Sequence, residues 1–380
     1  MATIGVRLPR PFADIPRVAL MYPYPTPIEP LNNLTRHLSQ QSKESGTKET
    51  PKIWIKHEDS NSALAYGGNK VRKLEYVIAD AVAKSSTHLV TVGGVQSNSQ
   101  RQVAAAGNRY GMRTILTPDA SLGNPSKSDR AAYHVAGNVQ IASLLNAEWR
   151  PSTEKDAQEA RDTGGLSYDI AAQREMEKVR AEGGMPYYIP SGASLHLLGG
   201  LGFARWAFEL EQQEKELGVR WDAIVVSCAS GSTLGGMVAG FKLIEKERKA
   251  SYDGAASKKR RVIGIQATSC DISETERVVN ISARNTARLI GLQEDDIKSE
   301  DYELIGEYNG GAYGLLDDAT RDAIKLLAET EGILTDPVYT GKAISGVIGL
   351  TRKNGFDGVE NVLFVHTGGT PALSAYPSMQ

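Results

Sequence analysis

The sequence predicts an α/β fold with open, twisted, mainly parallel sheets, and three observations carry that prediction. Short β-rich runs alternate with longer stretches of helical periodicity, the order that βαβ units produce. Several of the runs are apolar throughout, as strands covered by helices on both faces are. Three of them lead directly into turns rich in glycine, serine and threonine, and open α/β sheets bind ligands at the carboxyl ends of their strands.

In chain order, the first candidate strand is residues 53–56. Before it, residues 39–51 are polar, lack apolar periodicity and read as a surface excursion. Gly67-Gly68-Asn69-Lys70 then opens an amphipathic helix, with Leu74, Val77, Ile78 and Val82 at helical spacing. The strand runs 89–92, 114–116 and 187–189 follow, the first leading into Gly93-Gly94-Val95-Gln96-Ser97-Asn98. Residues 224–226 lead into Ser227-Cys228-Ala229-Ser230-Gly231-Ser232-Thr233 and then a helical stretch from Met237 to Phe241. Residues 245–258 form a second polar stretch. The basic run 258–261 enters the apolar strand 262–265, which makes it a solvated loop and not a polyanion site. The last strand, 362–365, ends in His366-Thr367-Gly368-Gly369.

Composition narrows the function classes. A chain of 380 residues, 41% hydrophobic and 23% charged, has room for two domains or one large one. A formal charge of −2 gives no electrostatic reason to expect nucleic acid or anionic lipid as a partner. Cys228 and Cys270 are too few for a disulfide framework, and the six histidines show no metal-binding spacing, so no metal is expected. The N-terminal segment, with Pro9, Pro11 and Pro16, has no long apolar run. Neither a signal peptide nor a spanning helix is therefore expected, and the cytoplasm is the expected location.

The chemistry is concentrated at the turns. Adjacent glycines allow positive φ and close approach to a ligand, and a helix start offers free N–H groups to an anion. Lys70 sits at that junction. The positive end of the helix and the neighbouring Lys73 both favour a neutral, nucleophilic amine there, which Schiff-base lysines require. Ser230, Gly231, Ser232 and Thr233 form a cradle of backbone N–H groups and hydroxyls for a phosphate, without the Gly-Lys-Ser/Thr of a nucleotide-binding loop. A lysine for an aldehyde, a cradle for a phosphate and a second polar turn with Ser97 and Asn98 point to pyridoxal 5'-phosphate (PLP).

At these residues the sequence resembles the 1-aminocyclopropane-1-carboxylate (ACC) deaminase and D-cysteine desulfhydrase group of tryptophan-synthase-β-like PLP enzymes. The resemblance rests on residues 67–76 (GGNKVRKLEY), 93–98 (GGVQSN), 198–203 (LGGLGF), 230–237 (SGSTLGGM), 312–314 (AYG), 335–339 (TDPVY) and 368–373 (GGTPAL), in family order. It implies two α/β domains with PLP in the cleft between them. The large domain would comprise 1–72 and 185–380, the small inserted one 73–184, and the molecule would be a homodimer acting on a small amino acid. By the same resemblance Lys70 would hold PLP and move protons, and Ser230 to Thr233 would bind its phosphate, helped by Lys73. Asn98 would meet the ring near its 3'-oxygen or the phosphate. Ser97 would touch the substrate carboxylate or relay a proton. Tyr313 and Tyr339 would flank the substrate, with Tyr339 as acid, base or nucleophile; such a phenol needs its pKa lowered by cationic surroundings.

Two positions divide the group. ACC deaminases usually carry Tyr-Glu-Gly where this chain has Tyr339-Thr340-Gly341, and His-Leu-Gly where it has His366-Thr367-Gly368; D-cysteine desulfhydrases resemble it at both. A carboxylate at the pyridine nitrogen makes a strong electron sink, whereas Thr340 or Thr367 brings no charge. ACC has no α-hydrogen, and its ring opens only by carbon–carbon cleavage. D-Cysteine can lose an α-proton and expel sulfide. The threonines therefore favour β-elimination of D-cysteine, or a related small amino acid, to pyruvate, ammonia and sulfide over ACC deamination to 2-oxobutanoate and ammonia. Residues 93–98, 129–140 and 230–237 look closer to ACC deaminases, but Ser99 and the stretch 119–123, which lacks their tryptophan, depart from them. A catalytically inactive PLP-binding protein is the rival of another class; it would not need Lys70, Ser97 and Tyr339 together.

Overall fold

The computed structural model describes residues 5–45, 49–119, 122–123, 125–250, 259–268 and 270–379. Its strands are β1 (Ile28–Pro30), β2 (Lys52–His57), β3 (His88–Gly94), β4 (Arg113–Asp119), β5 (Glu148–Trp149), β6 (Pro186–Ile189), β7 (Ala223–Cys228), β8 (Arg261–Gln266), β9 (Glu303–Ile305) and β10 (Asn361–His366). They form a six-stranded sheet in the order β1-β2-β10-β7-β8-β9 and a four-stranded sheet in the order β5-β4-β3-β6. Every pairing is parallel except β1 with β2. Each strand expected from the sequence is present. The unforeseen β1, β5 and β9 are edge strands of three residues or fewer, too short to show a period.

The helices are α1 (Asn32–Ser45), α2 (Asn69–Ala83), α3 (Asn98–Arg109), α4 (Arg130–Tyr133), α5 (Asn138–Leu144), α6 (Glu154–Thr163), α7 (Ser167–Ala181), α8 (Leu201–Leu217), α9 (Ser232–Ala250), α10 (Ile272–Leu289), α11 (Asp318–Glu331) and α12 (Thr340–Arg352). Along β7, Ile224, Val226 and Cys228 enter one core with α8, α9 and α10, while Ala223 and Val225 enter another with α1, α11 and α12. That period of two with both faces apolar is what made the run legible as a covered strand. The smaller sheet is sandwiched in the same way. Leu89 packs with Val71, Leu74 and Val77 of α2, and Val90 and Val92 pack with Ala172 and Val179 of α7. Val82 departs from the expected apolar face of α2 and is exposed.

Both polar stretches prove partly helical. Residues 39–45 complete α1, seated by Leu34, Leu38 and Ser42, buried at successive i, i+4 positions. Residues 245–250 complete α9, where Glu245 and Lys249 pair one turn apart at 2.6 Å. Residues 46–48 and 251–258, with Lys258 of the basic run, lie outside the described residues, as do Ala120 and Ser121 of the stretch 119–123. Among the described residues no helix is long and apolar enough to cross a membrane, and no cluster of three or more metal-ligating side chains occurs.

Candidate active site

Parallel strands within each sheet end on the same side, and the ends of β3, β7 and β10 meet the start of α2 around a cavity of about 470 Å³. Its wall includes Lys70 from the start of α2, Ser97 and Asn98 from the turn after β3, and Thr367 from the turn after β10. Ser230, Gly231 and Thr233 contribute from the turn after β7, and Tyr313 and Tyr339 from the loops before α11 and α12. Lys73, Ser232 and Thr340 do not line it. Lys73 lies beneath the cradle, its Nζ donating to Ser232 Oγ at 2.7 Å and to the Gly192 carbonyl at 3.2 Å. Ser232 gives its own N–H to Ser194 Oγ.

Local backbone chemistry places the lysine. Gly67 and Gly68 have φ of 58° and 119°, which only glycine adopts without strain. Asn61 grips Gly68 at both ends of the residue, accepting from its N–H and donating to its carbonyl at 3.0 Å each. Lys70 Nζ then donates to Asn69 Oδ1 at 2.9 Å, and Asn69 Nδ2 to Thr233 Oγ1 at 3.0 Å, which links the lysine turn to the cradle. Burial lowers the Lys70 pKa to about 8, with the Arg101 guanidinium adding to the shift and Asp336 opposing it. Arg101 thus takes the part that the sequence reading gave to Lys73. Lys73 is itself held well below its ordinary value by burial and by Lys70.

Asp336 is the residue that sequence reasoning missed. Its buried carboxylate accepts from the N–H groups of Val338, Tyr339 and Thr340 at 2.9 Å each, and from Thr340 Oγ1 at 2.6 Å. The Thr340 hydroxyl is therefore committed to a carboxylate inside the protein, and of the two threonines that divide the group only Thr367 lies on the cavity wall. The Asp-Pro step just before a helix was the available signal, since a side-chain carboxylate there caps free N–H groups. Gly369 approaches so closely that a Cβ would stand 2.5 Å from Asp336 Oδ1.

Ser97 caps α3, its Oγ accepting from the Gln100 N–H at 3.3 Å, and Asn98 is oriented by Asn138 Nδ2 on its Oδ1 at 2.8 Å. The Tyr313 and Tyr339 hydroxyls share a hydrogen bond of 2.5 Å across edge-to-face rings. Burial raises both phenols, and Asp336 raises both further. Burial is the larger cause at both, so the lowering that a catalytic phenol needs would have to be supplied by the bound cofactor. Both cysteines reach the wall as well, though neither had a motif; burial pushes the Cys228 thiol up to about 12.

Residues 20–368 match the family described as pyridoxal-phosphate dependent enzyme. The chain belongs to that family. Among curated PLP enzymes it is 42% identical to the 1-aminocyclopropane-1-carboxylate deaminase of Burkholderia vietnamiensis, over 93% of this chain and 94% of the relative. It is 41% identical to that of Bradyrhizobium diazoefficiens over the same shares. The crystal structure of an ACC deaminase homologue superposes with a TM-score of 0.77 at 29% identity, over 97% of this chain and 98% of the other. A fungal L-serine ammonia-lyase from Rhizomucor miehei, at a TM-score of 0.61 and 16% identity over 95% and 98%, shares the fold.

The residues of this site fit PLP. Lys70, Lys73 and Arg101 lie at or behind the cavity, and Lys73 has no carboxylate among its hydrogen-bond partners. Enclosed amino and guanidinium groups that are not hydrogen-bonded to carboxylates suit a phosphate and a substrate carboxylate, whose negative charge would favour their cationic forms. The first turn of α9 adds N–H groups that have no intrahelical acceptor.

Proposed function

We propose that the protein is a PLP-dependent deaminase that opens the ring of ACC, giving 2-oxobutanoate and ammonia with uptake of one water. The observation that carries this reading is the enclosure of Lys70 and the Tyr313–Tyr339 pair in one cavity, in a chain alike over nearly its whole length to enzymes of that name. Bound PLP supplies the electron sink for bonds at the substrate α-carbon. Lys70 Nζ would hold the cofactor and carry protons, with burial keeping much of the amine neutral at mildly alkaline pH. Ser97 and Asn98 would orient the substrate carboxylate and the cofactor ring. The hydrogen-bonded phenols would take and return one proton, with Tyr339 nearer Asp336 in sequence and Tyr313 as its relay.

A second reading is β-elimination of D-cysteine, with uptake of one water, to pyruvate, ammonia and hydrogen sulfide. Thr367, an uncharged hydroxyl on the wall, favours it. Thr340 gives that reading little help, because its hydroxyl is bound to Asp336. Two domains and a homodimer belong to this proposal too, with the smaller domain extended beyond the expected 72/73 and 184/185 boundaries, because α2 runs unbroken across the first and β6 of the smaller sheet lies past the second. Turnover of both amino acids by PLP-loaded protein separates the readings, and Lys70→Ala should remove both turnover and the visible absorbance of lysine-bound PLP. An active Lys70→Ala protein with that absorbance intact would overturn the assignment.

A further inference from the structure

The two carbonyls that flank Tyr313 are each held by a side chain from another part of the fold. Lys342 of α12 donates its Nζ to the Ala312 carbonyl at 2.9 Å, and Tyr376 donates its hydroxyl to the Gly314 carbonyl at 2.7 Å. Neither lines the cavity, and both are buried. The loop between them needs holding. Gly310, Gly311 and Gly314 all have positive φ (69°, 82° and 72°), so its backbone has little conformational preference of its own. Tyr376 is anchored in turn: two residues on, Ser378 gives its N–H and its Oγ to the Asp129 carboxylate at 2.8 and 2.7 Å. The C-terminal segment is thereby tied on one side to α4 and on the other to the loop of a cavity tyrosine.

We propose that Tyr376 and Lys342 are positioning residues that hold Tyr313 against Tyr339, which makes the C-terminal segment part of the catalytic apparatus without touching substrate. The proposal rests on the reading of Tyr313 and Tyr339 as the proton-transfer pair. A 2.5 Å hydrogen bond between two phenols tolerates little misplacement, and reacting groups shifted by about 1 Å lose up to roughly a hundredfold in rate.

The test is a double-mutant cycle of Tyr376→Phe and Tyr313→Phe in the PLP-loaded enzyme. Phenylalanine keeps the edge-to-face packing of ring 376 on Tyr133, at 5.8 Å, and removes only the hydroxyl. The expected result is that Tyr376→Phe lowers kcat by roughly tenfold or more, with KM and cofactor absorbance unchanged, and that it costs nothing further once Tyr313 is phenylalanine. A kcat unaffected by Tyr376→Phe while Tyr313→Phe lowers it would overturn the positioning role and leave the reading of Tyr313 standing. Equal losses in both backgrounds would also overturn it, since a general packing defect acts regardless of residue 313. A kcat indifferent to Tyr313→Phe would overturn the reading of the pair itself, and the positioning role with it.

Discussion

At the residue scale, Lys70 and Asp336 carry the sharpest consequences of burial. Burial takes the Lys70 pKa from an ordinary 10.5 to about 8, so the cationic form is disfavoured in the folded protein. Between those values the unfolded chain binds more protons than the folded one, and stability from this group rises with pH from about 8 to 10.5. Lys70 should therefore add to the stability of cofactor-free protein across that window, and Lys70→Met should make the pH dependence there less positive in denaturant titrations at several pH values; an unchanged slope would contradict the assigned shift. Asp336 makes the opposite point about substitutions. Thr340→Val removes one of the donors to a buried carboxylate and should cost about 1–3 kcal/mol of stability. Thr340→Glu would replace that donor by a second carboxylate beside Asp336, and it should lower the unfolding midpoint. A stable, faster Thr340→Glu enzyme would mean that position 340 reaches the cofactor after all.

At the scale of elements, α2 is set by a buried ionic cluster next to its lysine. Arg72 bonds Glu58 at 2.5 and 2.9 Å and Glu209 at 2.8 and 2.9 Å, while Lys56 joins Glu209 at 2.8 Å. Removing a shared cation from inside the protein strands its partners, so Arg72→Met should destabilise by about 3–5 kcal/mol in urea titration. A loss below about 1 kcal/mol would mean that the cluster is solvated or dispensable. None of this network was legible in the sequence, because Glu58, Arg72 and Glu209 lie on separate elements and only the fold joins them. The strands were legible, since β7 and β10 are apolar on both faces. The turn at Gly67 to Lys70 was also legible, because two glycines before a helix have a local physical cause. Facing was not. Tyr339 precedes α12 with a non-helical backbone and Thr340 opens the helix, so no helical period links the two or says which one meets the cavity.

At the scale of the whole molecule, kinship shows a PLP-dependent enzyme and the geometry fits that cofactor, and which substrate bond breaks is the open choice between the two readings. The conflict lies in two threonines. One of them, Thr340, is turned inward onto Asp336; the other, Thr367, faces the cavity. The most direct measurement is a side-by-side steady-state assay of purified, PLP-loaded protein with ACC and with D-cysteine, following 2-oxobutanoate, pyruvate and sulfide. An ACC deaminase should form 2-oxobutanoate and ammonia from ACC at a kcat/KM above that for sulfide release from D-cysteine. Sulfide and pyruvate from D-cysteine, with no 2-oxobutanoate from ACC, would contradict that reading.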